Sequence, residues 1–476
     1  MPNKKSHSKI ACMVAALALA GPTAALPAAD FGSLQKTIKC LGASAYNGPY
    51  LAPIQWPKWT TGLNGKFMHI SDIHIDELYK EGTDPAGTMC HRPSATNAAL
   101  NVAGKYGTLS SICDTPQVML DATFDWIKQN TADVDFILYT GDSARHDRDK
   151  TVPRQHSEVL NEHKIVVDKV ISAFDTSKTK FIPTFGNNDE LDYNKMAPVT
   201  DPIIANLTQI WAPYKLGLDE NQDWLNGGYF AYEVKPGLVV LNLNSMLLFA
   251  SNVLTKDCVV DGSAGAGMLT WLRNQLSQLR SAGKKAYVMQ HIPPLDHSGK
   301  KLYYPTCHTD YTNILGSFSD VILGSFYGHT NKDYISYVYT NNTSSPQDGP
   351  FFISTVTDTV PSIDFDNTCI LHVSSQGPSI IGENNPAIRV YSYDTSRFAF
   401  GGLVKWTQYW SDLVRDNTED KVTYELEYTT QQAYGLWNLS PLSWTLVLQD
   451  WAKNSTSYRD YLKYRFVQNP NPVLKG

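Results

Sequence analysis

Short apolar runs that stop abruptly at polar corners alternate along this chain with longer stretches of helical spacing. Phe67-Met-His-Ile-Ser is the first such run, and it ends in Asp72 and His74, two positions apart. On a strand, that spacing puts both side chains on one face. Positions 117–129 carry Val118, Leu120, Phe124 and Ile127 at helical spacing, and 135–140 is a buried strand ended by Gly141-Asp142. The alternation continues with a helix at 159–174 and a strand at 180–185 that ends at Gly186-Asn187-Asn188-Asp189. A helix at 202–211, strands at 229–234 and 238–244, and a leucine-rich helix at 267–280 follow. A strand at 285–290 then ends at His291, and one at 319–326 ends at Gly328-His329-Thr-Asn331. This pattern predicts an α/β core. Beyond residue 350 it turns β-rich, at 351–357 and 388–393. From about 401 it turns aromatic and helical, with helices expected at 443–451 and 458–466.

The five strand ends together supply Asp72, His74, Asp142, Asn187, His291, His329 and Asn331. One Gly-Asp or Gly-His means nothing; five in sequence, each closing an apolar run, point to one divalent-metal site at the carboxyl edge of a sheet. Mixed nitrogen and oxygen donors suit Zn, Mn, Fe or Co better than Ca or Mg. A carboxylate shared by two ions would make a two-metal hydrolytic centre.

Composition narrows the setting. The 476 residues are 42% hydrophobic with a formal charge of −6, and neither number nor any motif points to a nucleic-acid-binding module. Lys4, Lys5 and Lys9, an apolar run at 10–20 and small residues around 23–25 read as a secretory signal, cleaved near residue 25. Its loss takes away three lysines and no acids, moving the charge from −6 to −9. A signal anchor is the alternative; with cleavage, no membrane span remains. Of seven cysteines, Cys12 belongs to that leader, and six remain, an even number that argues for disulfides in an oxidising compartment. Sequons at Asn206, Asn341, Asn342, Asn438 and Asn454 fit the same route, to an extracellular or vacuolar/lysosomal lumen. The expected organisation is a signal peptide (1–25), an N-terminal arm (26–64), a catalytic domain (65–400) and a C-terminal helical extension (401–476). Oligomeric state is left open.

The order Asp-x-His, Gly-Asp, Gly-Asn-x-Asp, His, Gly-His-x-x resembles the calcineurin-like metallophosphoesterases. Ser71-Asp-Ile-His-Ile-Asp76, Cys90-His-Arg92 and His291-Ile-Pro-Pro294 resemble the acid-sphingomyelinase-like branch. Thr140-Gly-Asp-Ser-Ala-Arg-His-Asp147, Gly186-Asn-Asn-Asp189 and Tyr327-Gly-His-Thr-Asn-Lys-Asp333 are similar to fungal endopolyphosphatases. The resemblance covers roughly 65–395. It implies a four-layer α/β/β/α fold, a β-sandwich flanked by helices, and two divalent metal ions (Zn, Mn, Co, Fe or Mg). It assigns Asp72, His74, Asp142 and Asn331 to one ion, and Asp142, Asn187, His291 and His329 to the other. His146 stands where the branch keeps a leaving-group acid. Together with proximity it implies the pairs Cys90–Cys113, Cys258–Cys307 and Cys40–Cys369.

Two positions depart from the sphingomyelinase-like pattern, which has histidines where Asn188 and Asn331 stand. Asn188 could donate its amide to a phosphoryl oxygen; Asn331 would ligate through its carbonyl oxygen and favour a harder metal. Both letters match the endopolyphosphatase pattern. The expected activity is hydrolysis of phosphoanhydride bonds in inorganic polyphosphate, with an acid-sphingomyelinase-like phosphodiesterase acting on sphingomyelin or nucleotide-type phosphoesters as the alternative. A polyanion needs local cations on an acidic protein. Arg145, Arg148, Lys150 and Arg154 beyond Asp142, with His91 and Arg92 from the long loop at 77–111, are the residues expected to supply them.

Overall fold

The computed structural model describes residue 40, residues 64–397 and residues 399–472. The expected leader at 1–25 and, apart from Cys40 and Asn64, the arm at 26–64 lie outside the described residues.

Strand β1 (Asn64–Ile70) leads into the short pair β2 (Ile75–Asp76) and β3 (Thr115–Pro116). Helix α1 (Gln117–Asn130) precedes β4 (Phe136–Tyr139), and α2 (His156–Ala173) precedes β5 (Lys180–Pro183). Then come α3 (Pro202–Ile210), α4 (Gln222–Gly227), β6 (Phe230–Lys235) and β7 (Leu238–Asn242). Helix α5 (Ala264–Ser281) feeds β8 (Lys285–Met289), and α6 (Pro305–Ser317) feeds β9 (Ile322–Tyr327). Strands β10 (Ile335–Thr340), β11 (Phe351–Thr355), β12 (Cys369–Gln376) and β13 (Ala387–Asp394) follow. The last segment holds β14 (Leu403–Ser411), α7 (Leu413–Glu419), β15 (Tyr424–Thr429), α8 (Thr430–Tyr434), α9 (Pro441–Trp451) and α10 (Thr456–Tyr464).

These strands form two large mixed sheets, in the orders β15-β14-β13-β1-β4-β5 and β11-β10-β12-β9-β8-β7-β6. Within them β1, β4 and β5 run parallel, as do β7, β8, β9 and β12. Parallel neighbours require crossovers, and helices α1, α2, α5 and α6 supply them. The start of α2 shows how local sequence sets such an element: Gln155 and Glu158 form a reciprocal cap, and Val159, Val166 and Val170 then face the core. The sheets pack face to face through aromatic rings. Phe67 stacks on Phe136 and Tyr391 of its own sheet, and meets Tyr287 and Phe326 of the other at 5.4 Å. This is the expected β-sandwich flanked by helices. Because the parallel strands share a direction, the ends of β1, β4, β5, β8 and β9 open onto one edge.

The C-terminal segment differs from expectation. It is not purely helical: β14 and β15 extend the first sheet, with Trp406 opposite Tyr391 in the register. The alternation of buried and half-buried positions in Leu403–Ser411, rich in Trp, Tyr and Thr, is a strand signal that aromatic density obscured. Helices α9 and α10 form where expected and pack by ring contacts, Trp406 on Trp444 and Trp451 on Tyr461.

The six cysteines pair as Cys40–Cys369, Cys90–Cys113 and Cys258–Cys307, with Cα separations of 5.2, 5.7 and 4.9 Å. Among the described residues no helix is long and apolar enough to cross a membrane. Of the sequon asparagines, Asn341 and Asn454 are exposed, while Asn206, Asn342 and Asn438 are half-buried.

Candidate metal centre

Each ligand candidate is delivered by a strand that stops and turns sharply. Asp72, His74, Asp142, His329 and Asn331 all adopt the left-handed backbone that L side chains avoid, a costly conformation that clusters at functional sites. Two glycines admit the close packing behind them: a Cβ at Gly186 would strike Asp142 Oδ1, and one at Gly328 would strike Ser71 Oγ.

The result is two donor sets with one member in common. Asp72, His74 and Asp142 offer ligand atoms within 4.8 Å of one another, and so do Asp142, His291 and His329. His74 Nδ1 donates to the Ala144 carbonyl at 2.9 Å, and His291 Nδ1 to the Thr140 carbonyl at 2.7 Å. A carbonyl can only accept, so both tautomers are fixed and both Nε2 lone pairs face inward. They face Asp142 Oδ2, at 3.5 and 3.1 Å, and His291 Nε2 also lies 3.1 Å from Asn187 Oδ1. His329 Nδ1 sits 2.8 Å from the same Asn187 oxygen. Lone pairs aimed at an anionic oxygen need a positive charge between them, either a proton or a metal ion. Burial disfavours the charged form of both imidazoles, yet Asp142 and Asp72 raise His74 and His291 to about 9. Burial likewise opposes an ionised Asp142, but His291 and His74 hold its carboxyl well below the usual range. The buried Nε2 of His74 and Oδ1 of Asn331 have no protein partner. Donor chemistry, tautomers and these orphaned atoms all fit a pair of divalent ions bridged by Asp142.

One family model, Calcineurin-like phosphoesterase, matches residues 65–333, and a second, the Acid sphingomyelin phosphodiesterase C-terminal region, matches 373–474. The chain belongs to the calcineurin-like phosphoesterases. An endopolyphosphatase of Neurospora crassa is 37% identical over 281 residues, covering 57% of this chain and 37% of the relative. An endopolyphosphatase of Schizosaccharomyces pombe is 30% identical over 371 residues, covering 71% and 62%. Sphingomyelin phosphodiesterase B of Dictyostelium discoideum is 29% identical over 421 residues, covering 86% and 60%. The chain thus spans less than two thirds of each relative's length.

Beside the donor sets of this phosphoesterase lies a cleft of about 290 Å³, lined among others by His146, Arg148, Asn187, Asn188, His297, Lys300, His329, Asn331 and Lys332. His146 stacks on His74 with ring centres 4.1 Å apart. Its Nδ1 bonds Asp114 Oδ1 at 2.7 Å and its backbone N–H donates to Asp114 Oδ2, leaving Nε2 to exchange a proton. Burial, opposed by Asp114 but aided by His74, lowers His146 to about 4.

Several expected substrate contacts go elsewhere. Arg145 is fully buried and forks onto Glu158 of α2, so it cannot meet a substrate. Arg154 is spent on the carbonyls of Arg145, Asn188 and Glu190, and Lys150 pairs with Asp147. His91 is buried between Asp76 and Asp149, at 2.9 and 2.7 Å, and Arg92 forks onto Asp149; neither lines the cleft. Apart from the exposed Lys150, the physical reason is shared: buried or half-buried cations are held only beside carboxylates or carbonyls, and here α2, β2 and the loops after β4 and β5 supply them. Only Arg148 of that group reaches the cleft, steadied by the Ile112 carbonyl at 3.0 Å. Asn188 lines the cleft; one Nδ2 hydrogen donates to Asp142 Oδ2 at 2.7 Å and its backbone N–H to Oδ1 at 2.8 Å, which leaves the second amide hydrogen for a phosphoryl oxygen.

Sequence reasoning passed over Asp114, the partner of His146, and Asp189. Asp189 accepts the backbone N–H groups of Asp142, Ser143, Ala144 and Gly186 at 2.7–3.1 Å, locking the β4 and β5 corners together. Asp189 stood in plain view in Gly186-Asn-Asn-Asp; Asp114 carried no local signal beyond following Cys113.

Proposed function

We propose that this chain is a metal-dependent hydrolase that cuts phosphoanhydride bonds inside inorganic polyphosphate. The observation that carries the proposal is the cleft wall: the cations Arg148 and Lys300 line the space beside the two donor sets, together with His297, which burial lowers to about 4, and Lys332, which Glu383 pairs. Asp296 and Glu383 also line it, but Asp296 is occupied by the turn N–H groups of Ser298 and Lys300, and Glu383 by Asn331 and Lys332. A chain of phosphates is a polyanion, and cations spread along one wall suit it better than a single headgroup pocket would. Similarity to endopolyphosphatases at 30–37% identity supports the same reading.

Asp72, His74, Asp142 and Asn331 would hold one ion, and Asp142, Asn187, His291 and His329 the other. Two such ions, when bound, neutralise phosphoryl charge and activate water for in-line attack. The chain's own groups do the rest. Asn188 fixes the orientation of Asp142 through both its oxygens. Asp114 fixes the His146 ring with Nε2 free, and the imidazolium form, populated in acid, hands its Nε2 proton to the departing phosphate oxygen. Arg148 and Lys300 hold the flanking phosphates. Secretion, glycosylation at the exposed Asn341 and Asn454, and residence in a vacuolar or lysosomal lumen belong to the proposal, supported by three disulfides.

A phosphodiesterase acting on sphingomyelin is the second reading, because similarity to the Dictyostelium protein runs over 86% of the chain. Against it, the apolar side chains of the cleft are few, Phe249 and Leu302 beside the ring of Tyr193. The test offers purified protein long-chain polyphosphate, sphingomyelin, a generic diester and ATP, each with Mn, Zn, Co or Mg. Mid-chain shortening of polyphosphate on a gel is the expected result. Diester cleavage with polyphosphate left intact overturns the proposal in favour of the second reading.

A further inference from the structure

Residues 383–385 lie between β12 and β13, far along the chain from any strand end that carries a ligand, yet they clamp the loop after β9. Glu383 is 4% exposed and accepts from two consecutive residues of that loop. Asn331 Nδ2 donates to its Oε2 at 3.2 Å, and Lys332 Nζ to its Oε1 at 3.2 Å. Asn384 Nδ2 donates to the Asn331 carbonyl at 2.8 Å, and Asn469 Nδ2 to the Glu383 carbonyl at 3.1 Å. The segment is therefore fixed at both ends, to the metal-site loop and to the end of the chain.

A primary amide is planar and rigid, so fixing its nitrogen fixes the direction of its oxygen. Asn331 Oδ1, the other end of the amide held by Glu383, is buried and has no protein partner. In the flipped state that oxygen would confront a carboxylate, so Glu383 excludes the flip. An amide oxygen is a weaker ligand than imidazole and gains most from being preset. Lys332 keeps the buried carboxylate compensated while it does so.

We propose that Glu383 is a positioning residue of the metal centre, selecting the amide orientation that presents Asn331 Oδ1 to the ion held by Asp72 and His74. This rests on the reading of Asn331 as a ligand. It makes the connection between β12 and β13 a working part of the site.

The test is Mn binding to metal-stripped protein by titration calorimetry, with circular dichroism to confirm folding. Glu383→Ala is expected to weaken binding by about 10–100-fold, the usual cost of losing an outer partner of a ligand. Glu383→Gln, whose amide oxygen still accepts from Asn331, retains most of the affinity. Asn331→Ala loses at least as much as Glu383→Ala, and the double variant loses no more than Asn331→Ala alone. Wild-type affinity in Glu383→Ala, or a further loss when it is added to Asn331→Ala, overturns the positioning role. Equal losses in Glu383→Gln and Glu383→Ala also overturn it, because the uncompensated charge of Lys332 then explains both. Wild-type affinity in Asn331→Ala instead removes the ligand reading, and the proposal with it.

Discussion

The loop after β4 and the loop after β9 both carry polar and cationic residues, and they use them in opposite ways. Between Arg145 and Arg154 most charges are paired inside the fold: Arg145 with Glu158 of α2, Lys150 with Asp147, and Arg154 with carbonyls of its own loop and of the loop after β5. Between Gly328 and Lys332 the backbone is forced into left-handed turns at His329 and Asn331, and a buried amide oxygen is left without a partner. The first loop spends most of its charges on the stability of the fold and turns only His146 and Arg148 to the cleft. The second holds donors in a costly geometry that only a ligand satisfies. A cationic sequence is thus a weaker sign of function than a polar atom that the fold has declined to pair.

The sharpest way to break this contrast is at the shared carboxylate. Asp142→Asn removes the anionic oxygen common to both donor sets, and turnover is expected to fall by more than about 10⁴-fold, as for the loss of any group on which a whole site depends. The fold should persist with a modest cost: the substitution removes the charge that holds His74 and His291 at about 9 and sets an amide against the Asn188 Nδ2 donor, so the melting temperature of metal-free protein falls by a few degrees. A variant that keeps its rate, or one that unfolds, defeats the bridging role. Next in size is His146→Ala, expected to cost about 10²–10⁴-fold in kcat, the usual worth of a positioned proton donor. Asp114→Asn should follow in the same direction with a smaller loss, because it frees the ring without deleting it.

The contrast itself is tested by two arginines three residues apart. Arg145→Ala leaves Glu158 without its partner at a buried site, with an expected loss of about 3 kcal/mol of stability and no selective rise in KM for polyphosphate. Arg148→Ala should do the reverse, raising KM by about tenfold with the melting temperature unchanged. If Arg145→Ala raised KM at full stability, the loop would be a substrate track after all.

The candidate ligands were visible because all seven sit just past the ends of five apolar strands, where local pattern suffices. What the sequence concealed depends on neighbours remote in the chain. The fate of Arg145 was decided by Glu158 on a helix it does not belong to, and that of His146 by Asp114, which arrives from the long loop held by the Cys90–Cys113 bridge. Glu383 joined the site from fifty residues beyond Asn331. Such pairings have no periodicity to betray them. Strands β14 and β15 are another matter. Their alternation was present in Leu403–Ser411 and Tyr424–Thr429, and the weight of Trp and Tyr there masked it.

The smallest expected effect concerns a polar group that the fold has left unpaired with no ligand in prospect. Glu190 is fully buried, both its carboxyl oxygens lack partners, and burial, reinforced by Asp201 and Asp189, pushes its pKa well above the ordinary value. A carboxyl whose folded pKa is raised contributes stability that is fully present below the unfolded value and is lost as pH rises through the folded one. Glu190 therefore favours the folded chain in acid and weakens it towards neutrality. Glu190→Gln keeps the neutral shape and removes the titration. Its melting temperature should match wild type at about pH 4.5 and exceed it by a few degrees near pH 8. The comparison with wild type at each pH isolates this group from the buried histidines, several of which shift stability the other way. A difference of equal size at both pH values would mean that Glu190 is ionised in the fold and holds a charge after all, which would move it from the unpaired groups to those that a cation satisfies.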